Sequence, residues 1–574
     1  MLTWSLNVLL ALAAPADLIL TGGHVLDDGR LAPGVNPGAR ASGAPAPAGL
    51  RPRTPVATAA VAPGPTALAI RDGRVLALGS DAAIEALAGP RTGRVALRGA
   101  TVLPGLTDAH LHVESLGASL EQLDLVGVAS LAEARARGRE AAAALPAGAW
   151  LQGRGWDQND WKEQRWPTAS DLDAGDHPAF LTRIDGHAAW VNARALALAG
   201  IGDATPDPPG GRILRDAAGH ATGVLVDAAM DLAQARIPAP DEATRLRRLQ
   251  RGLEACARFG LTGVHDAGVD LPGVALYKRL LAEGRLPVRV YVMLASSDFL
   301  AAGEGLTPEV GLGDGLLTVR AVKAYADGAL GSRGALLLEP YADEPRTRGL
   351  LALQRDDFAR LLRLALQRGF QVGTHAIGDA ANRLVLDAYA AAFGQAGGTA
   401  RRFRIEHAQV VSPEDLPRFK ALGVIPSMQP THCTSDMPWA GARLGPQRLP
   451  GAYRWRSFLD QGLPLPGGSD APVESAAPRL GLYAAITRQD REGQPAGGWQ
   501  PQERVSALEA LAMFTRHAAF AAFEEDERGS LAPGRRADLT VLDRDPLAVA
   551  PAELLQARVL LTLVGGRVVH EAAR

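Results

Sequence analysis

The chain has 574 residues, of which 47% are hydrophobic and 21% are charged, and its formal net charge at pH 7 is −2. This is ordinary globular composition, and the length exceeds that of one small domain. With 60 Lys and Arg against 62 Asp and Glu, the charge gives no electrostatic basis for binding nucleic acid or an anionic membrane. The two cysteines, Cys256 and Cys433, exclude a disulfide framework and a C-x-x-C zinc finger.

Residues 1–15 form a short apolar start that ends in small residues, as a cleavage site would, but they lack the positive charge of a secretory signal. The segment is too short to span a membrane, and no other stretch reads as transmembrane. We therefore expect a cytoplasmic protein. Export to the periplasm is the alternative, if residues 1–15 act as a signal peptide.

Both ends of the chain predict strands with similar turn chemistry. The strand-like segments are residues 16–28, 67–79, 537–543 and 561–570. Asp72-Gly73 marks a hairpin turn in the second of them. Residues 31–65 are rich in Pro, Ala and Gly and predict a flexible insertion. Segments 16–103 and 525–574 are thus expected to form one small composite β-sandwich domain.

Residues 104–524 alternate short apolar segments with helical ones, which predicts an α/β fold built on a (β/α)8 TIM-like barrel. Candidate strands cover residues 149–155, 178–184, 262–266, 287–293, 317–325, 370–374, 403–406, 424–428 and 463–465. Candidate helices cover residues 241–260, 356–368 and 380–393. Residues 114–250 keep the rhythm poorly, so part of this region is expected to leave the barrel and cover the site.

The stretch from Leu103 to Val113 predicts a buried strand that ends in His110 and His112. Because alternate side chains of a strand point to the same face, the two imidazoles project together and are placed to hold one metal ion. Asp108 shares that face and could orient a ligand. Two unrelated histidines in a loop are the alternative.

Four more polar residues lie within or just after apolar segments, where a β/α barrel gathers its functional side chains. They are Lys323, His375, His407 and Asp470. Singly, each could be structural, and the Lys323 stem could be buried with its head in solvent. Together with the paired histidines they suit Zn²⁺ or a similar ion, which lowers the pKa of bound water from about 15.7 towards 7. A nearby carboxylate could then move the proton to a leaving amine.

This series of motifs resembles the amidohydrolase superfamily and, within it, family 3, the branch of YtcJ-like and N-substituted formamide deformylase-like proteins. The matching segments are residues 104–112, 183–192, 323–333, 375–379, 404–409 and 468–472. They run through nearly the whole chain in the expected order. The joint match is specific, whereas H-x-H alone is not. The insertion at 31–65 departs from the family pattern but lies in the β domain.

The resemblance implies six metal ligands: His110, His112, Lys323, His375, His407 and Asp470. In a binuclear site the first two histidines bind one metal, the other two bind a second, and a carboxylated lysine bridges them. Asp470 would also be the catalytic proton shuttle. A mononuclear site with unmodified Lys323 stays open, since members of the superfamily use one metal or two. The implied cofactor is one or two divalent ions, with Zn²⁺ as the expected metal.

Seven further residues are candidates for binding the substrate: Trp156, Asp185, His187, Trp190, Ser332, Arg333 and His432. The Asp-Gly-His-Ala-Ala-Trp segment that supplies three of them could instead be a structural turn with a core tryptophan. Five of the nine tryptophans fall between residues 150 and 190 and suggest an aromatic wall, although packing alone also explains their grouping. Ser332-Arg333 could bind an anionic group.

The sequence therefore predicts a metal-dependent hydrolase that acts on a carbon–nitrogen bond, in an amide, an N-formyl or an N-acyl amine. Hydrolysis of another bond at the same site, in a cyclic amide or an ester or by deamination, is one alternative. A non-catalytic relative that binds a ligand is another, and the complete ligand set with Asp470 argues against it. The expected partner is a small-molecule substrate, with no nucleic acid and no membrane, and the chain could form a homodimer.

Overall fold

The structure, a computed structural model, describes residues 14–26, 64–394 and 399–573. The predictions for the start at 1–15 and for the insertion at 31–65 therefore lie outside the described residues, except for two residues of each. In the described part of the chain, no helix combines the length and the apolar character needed to cross a membrane.

Strands from the two ends of the chain form two sheets that share one core. These strands are β1 (Ala16–Thr21), β2 (His24–Val25), β3 (Ala67–Arg71), β4 (Arg74–Gly79), β5 (Ala88–Ala96), β6 (Thr101–Pro104), β21 (Leu539–Leu542), β22 (Val559–Val564) and β23 (Arg567–Glu571). One sheet has the order β4-β3-β1-β5 and the other β2-β6-β21-β22-β23. Leu20, Val102 and Leu539 meet in the core between them. Because β6 pairs with β21, the two termini build this unit together.

Seven parallel strands form the barrel, in the order β20-β19-β18-β17-β15-β14-β7. They are β7 (Leu106–Leu111), β14 (Leu261–Val269), β15 (Arg289–Ala295), β17 (Leu317–Tyr325), β18 (Gln371–Ala376), β19 (Arg404–His407) and β20 (Ile425–Ser427). A short strand, β16 (Glu309–Gly311), pairs antiparallel with β17. Their near-continuous burial is typical of strands covered by helices on the outside of a barrel.

The predicted strand at 463–465 is wrong, because this segment has no regular strand structure. Its Leu-Pro-Leu-Pro sequence lacks the N–H donors that a central strand needs. The segment still joins both neighbours. Gly467 accepts a hydrogen bond from the Ala109 N–H of β7 at 2.9 Å, and the Met428 N–H, just after β20, donates to Pro466 at 3.0 Å. The α/β barrel prediction is thus confirmed, with an irregular segment in the eighth position.

Helices cover the barrel and the terminal unit. The principal ones are α1 (Asp81–Glu85), α2 (Val113–Ser119), α3 (Leu131–Ala143), α4 (Ala193–Ala199), α5 (Met230–Gln234), α6 (Glu242–Arg258), α7 (Leu271–Ala282), α8 (Ser296–Ala302), α9 (Arg355–Arg368), α10 (Asp379–Phe393), α11 (Leu416–Leu422), α12 (Pro430–Arg448), α13 (Trp455–Asp460), α14 (Pro478–Thr487), α15 (Ala507–Met513), α16 (Arg516–Ala521) and α17 (Pro551–Leu554). The three predicted helices correspond to α6, α9 and α10. In α6, Asp241 caps the first turn by accepting from the Thr244 N–H, and the helix buries Leu246, Leu249 and Leu253 against the barrel.

Between β7 and β14 the chain forms a separate six-stranded sheet, which accounts for the interrupted rhythm of this region. Its strands are β8 (Leu123–Asp124), β9 (Leu151–Trp156), β10 (Ala179–Arg183), β11 (Ala188–Val191), β12 (Gly211–Arg215) and β13 (Ala221–Asp227). Trp156, Trp161 and Trp190 pack together on this sheet, with ring centroids 5.9–6.2 Å apart. The clustered tryptophans therefore form the core of this second sheet.

Candidate metal centre and active site

The six residues named as candidate ligands converge at the C-terminal end of the barrel. His110 lies in β7, Lys323 in β17, His375 in β18 and His407 at the end of β19, and His112 directly follows β7. Asp470 lies at the end of the closing segment, the irregular stretch of residues 463–470 that occupies the eighth position of the barrel. All of them except the fully buried His110 line one cavity of about 1140 Å³. The barrel strands and the irregular segment at 463–470 thus bring together residues that are up to 360 positions apart in the chain.

His110, His112 and Asp470 form the first compact group. The Asp470 Oδ1 atom lies 3.5 Å from His110 Nε2 and 3.1 Å from His112 Nε2. The possible ligand atoms of the three residues all lie within 4.8 Å of one another. Two imidazoles and one carboxylate are a ligand set that zinc accepts.

The other ring nitrogen of each histidine has its own partner. His110 Nδ1 lies 2.6 Å from Glu406 Oε2, and His112 Nδ1 lies 2.8 Å from the carbonyl oxygen of Ala267 in β14. Because these oxygens only accept, the hydrogen-bond network assigns the ring protons to Nδ1. Both Nε2 atoms then lack a proton and face Asp470 Oδ1, and His110 Nε2 also lies 3.0 Å from Lys323 Nζ. Such outer partners fix the tautomer and orientation of metal-binding histidines.

This arrangement leaves polar atoms unsatisfied in a way that a cation would relieve. Among the described residues, Asp470 Oδ1 and His432 Nε2 are buried and have no hydrogen-bond partner. A carboxylate oxygen that faces two imidazole lone pairs is unfavourable unless a proton or a cation lies between them. The residues present therefore fit a divalent metal.

A second compact group consists of His407, His432 and Asp470. The His407 Nδ1–H donates to Gln429 Oε1 at 2.8 Å, and His432 Nε2 lies 3.8 Å from Asp470 Oδ2. His375 is next to His407, with ring centroids 4.5 Å apart, but it is outside this group. The structure thus brings His432, which the sequence suggested only for substrate contact, among the possible ligands.

Lys323 lies inside the site and away from solvent, which excludes the alternative of a lysine whose head reaches water. Its Nζ atom is 3.0 Å from His110 Nε2 and 4.6 Å from the centroid of the Tyr325 ring. Burial lowers the pKa of Lys323 to about 8. The amine is therefore far easier to deprotonate than an ordinary lysine.

Asp108 anchors the closing segment to β7. Its carboxylate accepts from the Ser469 hydroxyl at 2.5 Å and from the backbone N–H groups of Ser469 and His110. Burial raises the pKa of Asp108 to about 7. Asp108, which the sequence suggested as an orienting residue, therefore positions the backbone next to Asp470 and accepts a hydrogen bond from the backbone N–H of His110.

Asp185 and His187 line the cavity, as the sequence suggested. Asp185 is held by Arg183 at 2.5 Å, and the His187 Nδ1–H donates to Asp227 Oδ1 at 2.6 Å. Burial alone would lower the pKa of His187, but the Asp227 carboxylate outweighs it and raises the pKa to about 9. A protonated imidazole thus lies on the wall of the cavity. His432 lines a narrower side pocket.

The other four suggested substrate residues lie outside the walls of these two cavities. Trp156 and Trp190 are fully buried, and their indole N–H groups donate to the carbonyl oxygens of Leu181 and Thr168. The Ser332 hydroxyl donates to a nearby carbonyl oxygen, and Arg333 pairs with Asp343 at 2.9 Å. The suggestion of an aromatic wall and an anion site here is therefore corrected, because both indoles are buried away from the cavities and Arg333 is paired with Asp343.

Glu406 is the main functional residue that the sequence reasoning missed. Its Oε2 atom accepts from His110 Nδ1 at 2.6 Å and from Arg404 Nη2 at 3.0 Å, and the Arg404 Nε atom lies 2.7 Å from Oε1 as an ion pair. Burial alone would raise the pKa of Glu406, but the Arg404 guanidinium and the His110 hydrogen bond hold it below its ordinary value. The sequence signal that could have revealed Glu406 is its spacing from Arg404, since residues two positions apart lie on the same face of a strand. Two opposite charges on one face of a buried strand must pair with each other and with a further polar group.

A barrel that gathers imidazole, amine and carboxylate groups over the ends of its strands defines a metal-dependent hydrolase fold. Comparison with known proteins supports this class. A family described as Amidohydrolase family, Amidohydro_3, matches residues 94–570. The chain therefore belongs to this amidohydrolase family.

Three relatives illustrate the similarity. YtcJ of Bacillus subtilis (strain 168) is 35% identical over 88% of this chain and 96% of its own length. N-substituted formamide deformylase of Arthrobacter pascens is 30% identical over 88% of this chain and 95% of its own length. The crystal structure of an uncharacterised metal-dependent hydrolase from Pyrococcus horikoshii OT3 has a TM-score of 0.70 and 29% identity, covering 93% of this chain and 99% of that one.

Proposed function

We propose that this amidohydrolase cleaves a carbon–nitrogen bond in an amide, an N-formyl amine or an N-acyl amine, with Zn²⁺ as its metal. The observation that carries the proposal is the group of His110, His112 and Asp470, whose possible ligand atoms lie within 4.8 Å of one another beside a large cavity, with Asp470 Oδ1 buried and without a hydrogen-bond partner. A relative that shares most of the chain is named N-substituted formamide deformylase, which supports this bond class.

His110, His112 and Asp470 would hold one metal, and His407 with His375 or His432 would contribute to a second. A bound Zn²⁺ supplies hydroxide near neutral pH and polarises a carbonyl oxygen. Glu406 and Gln429 keep the Nδ1 protons of His110 and His407 occupied, so that the Nε2 lone pairs stay directed at the site.

Asp470 is the proposed proton shuttle. Its Oδ1 atom faces the paired imidazoles, and its Oδ2 atom is on the side of His432. The carboxylate takes the proton of the attacking water at Oδ2 and delivers it to the departing nitrogen. His187, held by Asp227, is a donor on the same wall and would hydrogen-bond to the substrate. Asp185 would contact the substrate beside it.

Lys323 would bridge two metals as a carbamate, which forms when its neutral amine adds CO2 and releases a proton. Its burial and its 3.0 Å distance from His110 Nε2 support this role. A carboxylated lysine offers two oxygen ligands, which an ammonium cannot. We expect Lys323→Ala to lower the metal content from two ions per chain, whereas one ion in both proteins would indicate the mononuclear site.

The test combines metal analysis with a screen of N-formyl and N-acetyl amines. Chelation should abolish turnover and zinc should restore it. Asp470→Asn should keep the fold but lose turnover by about 10²–10⁴-fold, the usual contribution of general acid–base catalysis. Asp415→Asn, at a buried aspartate that pairs with Arg383 and Arg418, is the matched control and should retain turnover. Turnover that is indifferent to both chelation and Asp470→Asn contradicts the proposal, and binding without any turnover indicates a non-catalytic relative.

A further inference from the structure

The cavity beside the metal centre extends to the second sheet, where Arg154 of β9 lines its wall. The Arg154 guanidinium makes one hydrogen bond, from Nη2 to the Ile184 carbonyl oxygen at 3.3 Å. Within residues 14–26, 64–394 and 399–573 it has no ion pair with any carboxylate. Four of its five N–H donors are therefore available to a ligand.

The other arginines of this cavity are already engaged. Arg183 is held by Asp157 and Asp185, Arg245 by Glu114 and Asp270, and Arg248 by Glu121. These guanidinium groups are part of the wall and have protein carboxylates as their partners. Arg154 differs from all three, because in the described part of the chain it forms no direct ion pair with a carboxylate.

The carboxylates of the cavity are likewise accounted for without Arg154. Asp266 accepts from the Tyr277 hydroxyl at 2.5 Å and from the Val113 N–H at 2.9 Å, and Asp470 belongs to the metal centre. The carboxylates of Asp185, Glu114 and Asp270 pair with the other arginines of the cavity. Asp124, Glu474 and Asp470 act on Arg154 only at longer range, and no carboxylate of the described residues lies within ion-pair distance of it.

A partly buried cation without a partner is energetically unfavourable, and burial lowers the pKa of Arg154. The planar fork of a guanidinium matches a carboxylate through two parallel hydrogen bonds. A carboxylate on a ligand would therefore relieve the cost of burial and be recognised by its geometry. A neutral group of the same size would not.

We propose that Arg154 binds a carboxylate of the substrate, so that the preferred substrates are N-acyl amino acids or similar amides with a free carboxylate. The amide part of this statement rests on the proposed function, whereas the carboxylate part rests on Arg154 alone. The sequence suggested Arg333 for binding an anionic group, but Arg333 is paired with Asp343. Arg154 takes this role instead.

The test uses N-formyl and N-acetyl derivatives of leucine and phenylalanine, each with its matched neutral carboxamide. The wild-type holoenzyme should prefer the acid over the carboxamide in kcat/KM by about tenfold or more, as expected for one charged hydrogen-bonded contact. Arg154→Met should remove this preference by lowering kcat/KM for the acid towards that for the carboxamide. Arg154→Lys should retain part of it, because a lysine keeps the charge but loses the fork.

Arg248→Met is the matched control, since Arg248 lines the same cavity but pairs with Glu121. Its acid-to-carboxamide ratio should equal that of wild type. If the holoprotein hydrolyses neither member of any pair, the proposed function fails, and calorimetry on the same pairs tests Arg154 independently. Tighter binding of the acid that is lost in Arg154→Met supports the proposal. Equal binding of acid and carboxamide, an unchanged preference in Arg154→Met, or no binding of either overturns it.

Discussion

Replacing Glu406 with glutamine tests how much the metal centre depends on a residue that is not itself a candidate ligand. Glu406 Oε2 accepts from His110 Nδ1 at 2.6 Å, a length typical of a strong charge-assisted hydrogen bond. Glutamine keeps the shape of the side chain but removes the negative charge that interacts with both His110 and Arg404. A hydrogen bond to a charged group contributes about 1.5–3 kcal/mol. Loss of such an outer partner typically weakens metal binding about 10–100-fold, which is about 1.4–2.7 kcal/mol. The two estimates agree.

The assay is zinc affinity, measured by competition with a chelator on protein whose fold has been checked by circular dichroism. Glu503→Gln is the matched control, because Glu503 is a buried glutamate outside the cavity that accepts hydrogen bonds from the Ser457 backbone and hydroxyl. We expect Glu406→Gln to weaken zinc binding by about 10–100-fold and Glu503→Gln to leave it within about twofold. Unchanged affinity in folded Glu406→Gln would refute the reasoning. If that variant does not fold, Gln429→Met tests the same principle at His407, since it removes the acceptor of Nδ1.

Three further outcomes follow from the packing. Asp538→Asn should lower the free energy of unfolding by about 3–5 kcal/mol, because it removes the negative charge that pairs with the buried Arg289. This ion pair joins the barrel to the terminal sheets. Gly117→Ala should destabilise by about 1–3 kcal/mol, since its Cβ would lie 1.7 Å from the Arg248 carbonyl oxygen. Arg333→Met should leave kcat/KM within about twofold of wild type, because this side chain lies outside the cavity walls.

Chemical denaturation measures the first two outcomes, with controls at open positions. Gly202→Ala adds a methyl group with no heavy atom within 4 Å, and Asp72→Asn changes an aspartate that is 90% exposed. Both should stay within about 0.5 kcal/mol of wild type. Destabilisation of Asp538→Asn or Gly117→Ala no larger than in these controls would contradict the packing argument. For Arg333→Met, a selective loss of activity on anionic substrates would contradict this prediction and indicate that Arg333 binds the anionic group.

Periodicity in the sequence predicted the barrel strands because burial on both faces produces continuous apolar segments that end in polar residues. The same rule placed His110, Lys323, His375 and His407 at one end of the barrel, as the structure has them. It failed at 463–465, where prolines replace the backbone donors of a regular strand. There the hydrogen bonds to neighbouring strands, which no local pattern reveals, hold the segment in place.

Partner assignments were the other limit of the sequence. Trp156 and Trp190 were suggested for the cavity, but each indole N–H has a carbonyl acceptor within the second sheet. The sequence does not show which of Arg333 and Arg154 is paired. Only the fold shows that Arg333 pairs with the carboxylate of Asp343, whereas Arg154 forms no ion pair among the described residues. The importance of Glu406 was hidden for the same reason, since His110 lies 296 positions away.

The central claim is that His110, His112 and Asp470 hold a divalent ion at the mouth of the barrel. Anomalous diffraction at the zinc absorption edge, on crystals of the zinc-loaded protein, tests it most directly. The account predicts an anomalous peak about 2.0–2.1 Å from both Nε2 atoms and about 2.0–2.2 Å from an Asp470 oxygen. Zinc-replete crystals in which no peak contacts these three side chains would contradict it.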